Sequence, residues 1–336
     1  MSSTLIRPFV RGDREQVTSL VNAHIAAVMP GLSVSVQALL SHLEREPGEF
    51  IVDRWVRDRV TLVAEQRGRV VAAAHLLRYG DEEDTGENYR NAGEIKWLVC
   101  WPDAPYWPDA SAGGDALAVA CHAQMQRWGV GRRHADGSLP APGVYGLPEQ
   151  WPHIRAIYER IGFRHDGPVE VVYLARVDAL ARPEAPVGGL TTRRTVGVNG
   201  TRISAVLDGG DVGYIEVDTN LDGGPRVSRT GTWADVGNLW VEPAWRRRGI
   251  GRWLVGAAAM WLEWGGATRL LDYADATEES YVAFLSAVGF TVLTRTPGAS
   301  PPNTGSAIPR ACARGPRRCR RRGPSCGGWR AADRRC

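Results

Sequence analysis

The chain has 336 residues, 43% hydrophobic and 23% charged, the balance of a globular protein long enough for two domains. Its net charge of +4 misdescribes its body: residues 299–336 hold ten arginines and one acid, Asp333, while the remainder holds 31 basic and 36 acidic residues. A basic surface aimed at nucleic acid would rest on that tail alone, no apolar run approaches the ~20 residues of a membrane span, and the opening residues lack the apolar core of a secretory signal, so a cytoplasmic location is expected.

In chain order, residues 5–9 predict a strand, and Gly12-Asp13 starts a helix carrying Val17, Leu20, Val21 and Ile25 at helical spacing. Strands are predicted at 61–65 and 70–77, joined as a hairpin at Arg67-Gly68, and at 94–99. Helices follow at 115–128 and 154–161, stopped by Gly129 and Gly162, and a strand at 169–175 closes the first segment. Residues 181–189 form a Pro/Gly-rich linker. The second segment predicts strands at 190–196, 201–207, 212–217 and 236–241, a helix at 249–264, a strand at 269–273, a helix at 278–288 and a strand at 290–295.

The two segments read as an internal repeat. Glu94-Ile-Lys-Trp-Leu-Val-Cys-Trp-Pro102 parallels Asp235-Val-Gly-Asn-Leu-Trp-Val-Glu-Pro243, and the helix ending in Ile161-Gly162-Phe163 parallels the one ending in Val288-Gly289-Phe290. Cys100 and Cys121, far apart in the body, read as small buried hydrophobes. The other four cysteines lie in the tail, 298–336, whose Pro, Gly, Arg and Ala composition predicts disorder. Its cysteine spacing does not fit paired zinc knuckles, and no metal site is expected.

The strongest chemical signal is the passage from the strand ending at Val241 through Arg246, Arg247 and Arg248 into Gly249, Ile250 and Gly251 at a helix start. Glycines admit a ligand close to the backbone. A helix N-terminus leaves about four N–H groups unpaired and carries partial positive charge, so it suits a pyrophosphate. The arginines add charge that cannot be deprotonated. A Walker loop is excluded, because the sole lysine, Lys96, lies elsewhere; a Rossmann fingerprint is excluded because Leu254 stands where its third glycine belongs.

This loop resembles motif A of the GNAT acetyltransferase superfamily, and the helix ending in Gly289-Phe290 resembles its motif B. The first segment resembles a degenerate copy, as in tandem GNAT proteins. The resemblance implies an α/β tandem GNAT fold, with a mixed, mostly antiparallel sheet flanked by helices in each half. It implies a degenerate domain at 1–178, a linker at 179–189 and an acyl-CoA-binding domain at 190–297. It also implies transfer of an acetyl group from acetyl-CoA to a small-molecule or peptide amine by direct attack in a ternary complex. The competing class is a non-catalytic acyl-CoA-binding module. Acetyl-CoA would pair its pantetheine with the backbone of Leu239, Trp240 and Val241, where two strands splay. Its pyrophosphate would lie on the loop from Arg246 to Gly251, with Arg252 contributing its amide.

Asp235 stands where many GNAT enzymes carry a glutamate base; it serves as that base or merely caps and solvates the strand. An ordinary aspartate, of pKa ~3.9, is a weak base, so the role needs burial or a water relay. Glu242 is a second candidate. Leu285 occupies the position of the usual tyrosine acid, and Tyr281, one turn earlier, or Tyr273 would substitute for it, unless both simply pack. No histidine follows residue 165 and no cysteine lies between 122 and 311, so the second segment offers neither a histidine base nor a cysteine acyl-enzyme. In the first segment Tyr158 stands at the acid position. Asp109 and Asp115 would repel phosphate there, and Glu94, Trp151 and His153 are weaker candidates for an acceptor site.

Overall fold

The computed structural model describes residues 3–44, 55–103, 107, 109–141, 143–165, 169–219, 227–229 and 232–297. The expectations for the tail, its cysteines included, lie outside the described residues. The first half runs β1 (Leu5–Pro8), α1 (Arg14–Val28), β2 (Leu32–Val34), α2 (Val36–Leu43), β3 (Val56–Gln66), β4 (Arg69–Tyr79), β5 (Ala92–Cys100), α3 (Ala110–Trp128), β6 (Arg132–Ala135) and α4 (Pro152–Arg160). β7 (Val169–Arg176) follows, then β8 (Thr191–Gly197), β9 (Gly200–Leu207), β10 (Gly210–Asp218), β11 (Val227–Arg229) and β12 (Thr232–Val241). The chain ends its described part with α5 (Ile250–Trp264), β13 (Ala267–Asp275), α6 (Glu279–Ala287) and β14 (Thr291–Pro297).

The periodicities explain most of these elements. Val17, Leu20, Val21 and Ile25 form the fully buried stripe of α1. Arg67 and Gly68 both take positive φ, 52° and 75°, as the primed turn of a tight hairpin requires. β3 and β4 pair antiparallel on either side of that turn. α2 is capped by Ser35, whose hydroxyl accepts the amide of Ala38 at 3.1 Å, and its buried leucines hold it to the core. That helix, β2, β6 and β11 are absent from the sequence reading; three of the four are three- or four-residue strands, too short to carry a period.

Two mixed, mostly antiparallel sheets result. The first has the order β1-β3-β4-β5-β6 and the second β14-β7-β13-β12-β10-β9-β8. The strand closing the first segment is therefore misassigned by a boundary at 178. β7 pairs antiparallel with β13 from Arg176↔Arg269 to Glu170↔Asp275, and with β14 on its other edge. β13 and β14 run in the same direction, joined by α6, and β7 fills the gap between them. The sheets thus divide before Val169.

The halves also share packing. Val172, Trp233, Leu271 and Tyr273 of the second sheet belong to the core of the first half, while α5 and α6 cover the opposite face of that sheet. β11 pairs with β2 across the halves. The free edge of β14 receives the amides of Leu147 and Glu149, each at 3.0 Å from a carbonyl of Pro297 or Arg295. The Pro/Gly-rich connector is docked on α5: a Cβ on Gly256 would lie 2.8 Å from the carbonyl of Ala181, and Arg182 pairs with Glu263 at 2.8 Å. No helix among the described residues is long and apolar enough to cross a membrane.

Two predictions follow from this architecture. A fragment of residues 190–297 lacks the central strand between β13 and β14 and is expected not to melt cooperatively, whereas a fragment starting at 165 is expected to do so; circular dichroism on the pair decides it. In the first half, His24 is buried, with Nδ1 on the carbonyl of Leu20 at 2.9 Å, and burial pushes its pKa down to about 4. Between that value and the ordinary ~6.5 the unfolded chain binds the extra proton, so stability falls as pH falls through this window, by at most about 3 kcal/mol. Urea midpoints at neutral pH and about pH 5 should differ less in His24→Gln than in the parent chain.

Candidate active site

β12 and β13 run parallel but stay paired only from Thr232↔Ala267 to Asp235↔Leu271. Beyond that point they part, and residues 236–241 of β12 keep hydrogen-bonded register on the β10 side alone. On that side Glu216 faces Asn238 and Val217 faces Val236, so Gly237 is an extra, bulged residue. Glycine is required there: a Cβ would come within 2.3 Å of Asn199 Cβ. The bulge bends β12 away from its parallel neighbour. It leaves the backbone of Leu239, Trp240 and Val241 along one side of a V-shaped opening.

That edge leads into the arginine loop. Pro243–Trp245 make one 3-10 turn, and the Arg246 side chain donates to the carbonyl of Val241 at 2.9 Å. Arg247 and Gly249 both have positive φ, 63° and 85°. The turn they make leads into the first amides of α5, for which helix geometry gives no acceptor. α5 has no side-chain cap and no acid in its first turn. Arg246, Arg247 and Arg248 are exposed, and among the described residues none of them, nor Arg252, pairs with a carboxylate; Arg248 lies over the Trp245 ring at 4.9 Å. Two neighbours hold the glycines in place. A Cβ on Gly249 would lie 3.1 Å from Pro186, and one on Gly251 would lie 3.3 Å from the Phe284 ring. The connector and α6 thus both press on the loop, a feature with no signature in the motif itself.

Asp235 is the last residue of β12 paired to β13, and it lies opposite Asp218 on β10. Both carboxylates are buried. By strand alternation they share the face of Tyr214, Glu216, Asn238 and Trp240, opposite to α5 and α6. On that face Glu216 is bridged by Arg202 at 2.6 Å and bonded by the Asn199 amide at 3.0 Å, and Asn238 donates to the Tyr214 hydroxyl at 2.9 Å. Glu242 stands at the start of the loop, its backbone amide on the carbonyl of Val212.

Tyr281 faces the other side of β13. Its hydroxyl donates to Asp272 Oδ2 at 2.6 Å, while Asp272 Oδ1 accepts the amide of Tyr273 at 2.6 Å. Asp272 is a residue sequence reasoning missed; a lone carboxylate within the apolar run from Leu270 to Tyr273 was the available signal. Tyr273 is buried between the halves, 5.9 Å from the Tyr145 ring, and burial raises its hydroxyl pKa well above the ordinary value. Leu285 is fully buried in the core beneath α6.

The first half has the same plan with the opening closed. β5 and β6 pair in parallel only as far as Ile95↔Ala135, but the chain after β6 continues alongside β5 in the same direction. The amides of Asp136 and Ser138 bond the carbonyls of Ile95 and Lys96 at 2.8 and 3.1 Å. Lys96 sits between Glu94 and Asp136, and Tyr158 donates to the carbonyl of Asp136 at 3.0 Å. The start of α3 already has an anion: Asp103 accepts the Ser111 amide at 2.8 Å and its hydroxyl at 2.7 Å. Asp109 is the N-cap residue of that helix and Asp115 pairs with Arg160 at 2.6 Å. Glu94 accepts from the Tyr79 hydroxyl, Trp151 Nε1–H donates to the His24 carbonyl at 3.1 Å, and His153 Nε2 lies 3.2 Å from His24 Nε2. These three sequence candidates are thus held within the first half.

The second half thus presents a parallel pair that splays at a bulge and feeds a glycine turn and an uncapped helix. Residues 199–292 match the family model described as an acetyltransferase (GNAT) domain. That match lies within the second half, and the chain as a whole has the fold of tandem GNAT proteins. A tandem GNAT protein from the clavulanic acid biosynthesis pathway is similar at 15% identity and a TM-score of 0.58, over 90% of this chain and 100% of that one. A GCN5-related N-acetyltransferase from Sphaerobacter thermophilus is similar at 14% identity and a TM-score of 0.55, over 91% and 98%. A glucosamine N-acetyltransferase region of a fungal multi-domain β-N-acetylglucosaminidase gives a TM-score of 0.58 at 14% identity; this chain is covered over 89% but spans only 38% of that protein. No curated protein sequence matches the chain significantly.

Tyr281→Phe removes one donor from the buried Asp272 carboxylate. It is expected to destabilise the fold by about 1–3 kcal/mol, read from a denaturant midpoint.

Proposed function

We propose that this protein is an N-acetyltransferase that moves an acetyl group from acetyl-CoA to a small-molecule or peptide amine by direct attack in a ternary complex. The observation that carries this reading is the continuity of one surface. The open edge of β12 runs directly into the uncapped, arginine-bearing start of α5. The thioester supplies the activated acyl group when bound. The backbone of Leu239, Trp240 and Val241 would pair with the pantetheine amides, and the loop from Arg246 to Arg252 would hold the pyrophosphate.

An amine acceptor of pKa ~10.4 is neutral in only about one molecule in 2,500 at pH 7, so the site must take a proton. Asp235 supports that role by position, at the apex of the opening on the face away from α5 and α6. Tyr281 fits the acid role less well, because its proton is directed at Asp272 and must leave that bond to reach a departing thiolate. The same bond, with Leu285 in the core, favours the second reading, a binding module that holds acyl-CoA without turnover. A thiolate of pKa ~8.5 departs without much assistance, so the weak acid alone does not exclude catalysis.

Thiol release from acetyl-CoA over a panel of primary amines tests the reading. Turnover on at least one amine is expected, with Asp235→Asn lowering kcat at least ~10-fold at unchanged acetyl-CoA affinity, and Tyr281→Phe lowering it less. Gly249→Asp, which places an acid and a strained backbone at the helix start, is expected to abolish acetyl-CoA binding. Binding without turnover on any amine would favour the binding module, and unchanged affinity in Gly249→Asp would sink the loop assignment.

A further inference from the structure

The first half contains a cleft of about 600 Å³ between α1, the start of β4 and the first turns of α3 and α4. That size suits a small molecule. Val71, Trp101, Trp107 and Trp151 make its walls. Two of these rings are fixed from behind: Trp107 Nε1–H donates to Gln66 Oε1 at 2.7 Å, and Trp151 is held by the His24 carbonyl. Trp101 is partly exposed, so its ring is available to a ligand.

The polar groups of the cleft have one sign. Among the described residues no aspartate or glutamate lines it, and Arg69 stands at its mouth. Arg69 is exposed and, among the described residues, its guanidinium meets no carboxylate. Burial lowers the pKa of both His24 and His153, which disfavours a second charge inside the cleft. Among the described residues that line the cleft, Arg69 carries the charge, and the Arg67 guanidinium lies close by over the Trp107 ring at 5.6 Å, so the field at this aromatic wall is positive. This is not a second pyrophosphate site, because Asp103 already occupies the start of α3.

We propose that this cleft binds a small organic anion with a flat apolar body, in its simplest form an aromatic carboxylate. Its carboxylate meets Arg69 and its rings pack on Trp101 and Trp107. The site is independent of the acetyl-transfer reading, being built from other residues in the other half.

Isothermal titration of the full chain with naphthalene-2-carboxylate, and with the neutral naphthalene-2-methanol, tests it. One-site binding is expected, the carboxylate at least ~10-fold tighter than the alcohol. Arg69→Gln should erase that difference, Trp101→Ala should weaken both ligands, and Gly249→Asp should change neither. Both cleft residues are at the surface, and matched melting curves verify that the variants fold. Absence of binding by the carboxylate at millimolar concentration, equal affinity for the alcohol, an unaffected Arg69→Gln, or loss of binding in Gly249→Asp would each overturn the proposal.

Discussion

β7 stands between two strands that point the same way, and the geometry of the second sheet depends on it. β13 is bonded to β7 from Arg269 to Asp275 but to β12 over four positions only. A strand so unequally held follows its stronger neighbour. β13 keeps the direction set by β7, while the bulge at Gly237 turns β12 toward β10. The V between them is therefore maintained from both sides by backbone hydrogen bonds, and no side chain has to wedge it open.

The two halves show what the same plan does when that opening is closed. In the first half the chain after β6 stays bonded alongside β5, and the carboxylate of Asp136 receives the amides of Gly137 and Gly146 at 2.8 and 2.6 Å. Lys96 supplies the nearby cation. The backbone groups that could meet a ligand in one half are thus satisfied internally in the other. The helix starts differ in the same sense: α3 carries its own carboxylate, whereas α5 presents arginines and no acid. The first half has in exchange a rigid aromatic cleft.

Much of this was legible in the sequence because it is local. The helical stripe of α1, the Arg67-Gly68 hairpin, the glycine stops after α3 and α4 and the arginine-glycine loop are each contained in a dozen residues. Partners distant in the chain were not legible. Nothing in residues 169–176 distinguishes a strand that pairs with β6 from one that pairs with β13, since both would be buried and β-branched. Pro186 against Gly249, Phe284 against Gly251 and Asp272 beneath Tyr281 are contacts between segments that no periodicity links. The candidate site was therefore readable as a loop but not as a surface. Its edge, its opposing face and the commitment of Tyr281 to a carboxylate required the fold.

The donated strand has a consequence during synthesis. β7 leaves the ribosome about ninety residues before either of its neighbours, a wait on the order of ten seconds at ordinary elongation rates. Throughout that interval both of its edges are unpaired and Val171 has no second-half core to enter. The first half is already synthesised by then and offers the face that receives Val172. An early-folding neighbour can thus shelter a strand whose own sheet does not yet exist, and the order of the two halves along the chain sets the order in which they can be finished.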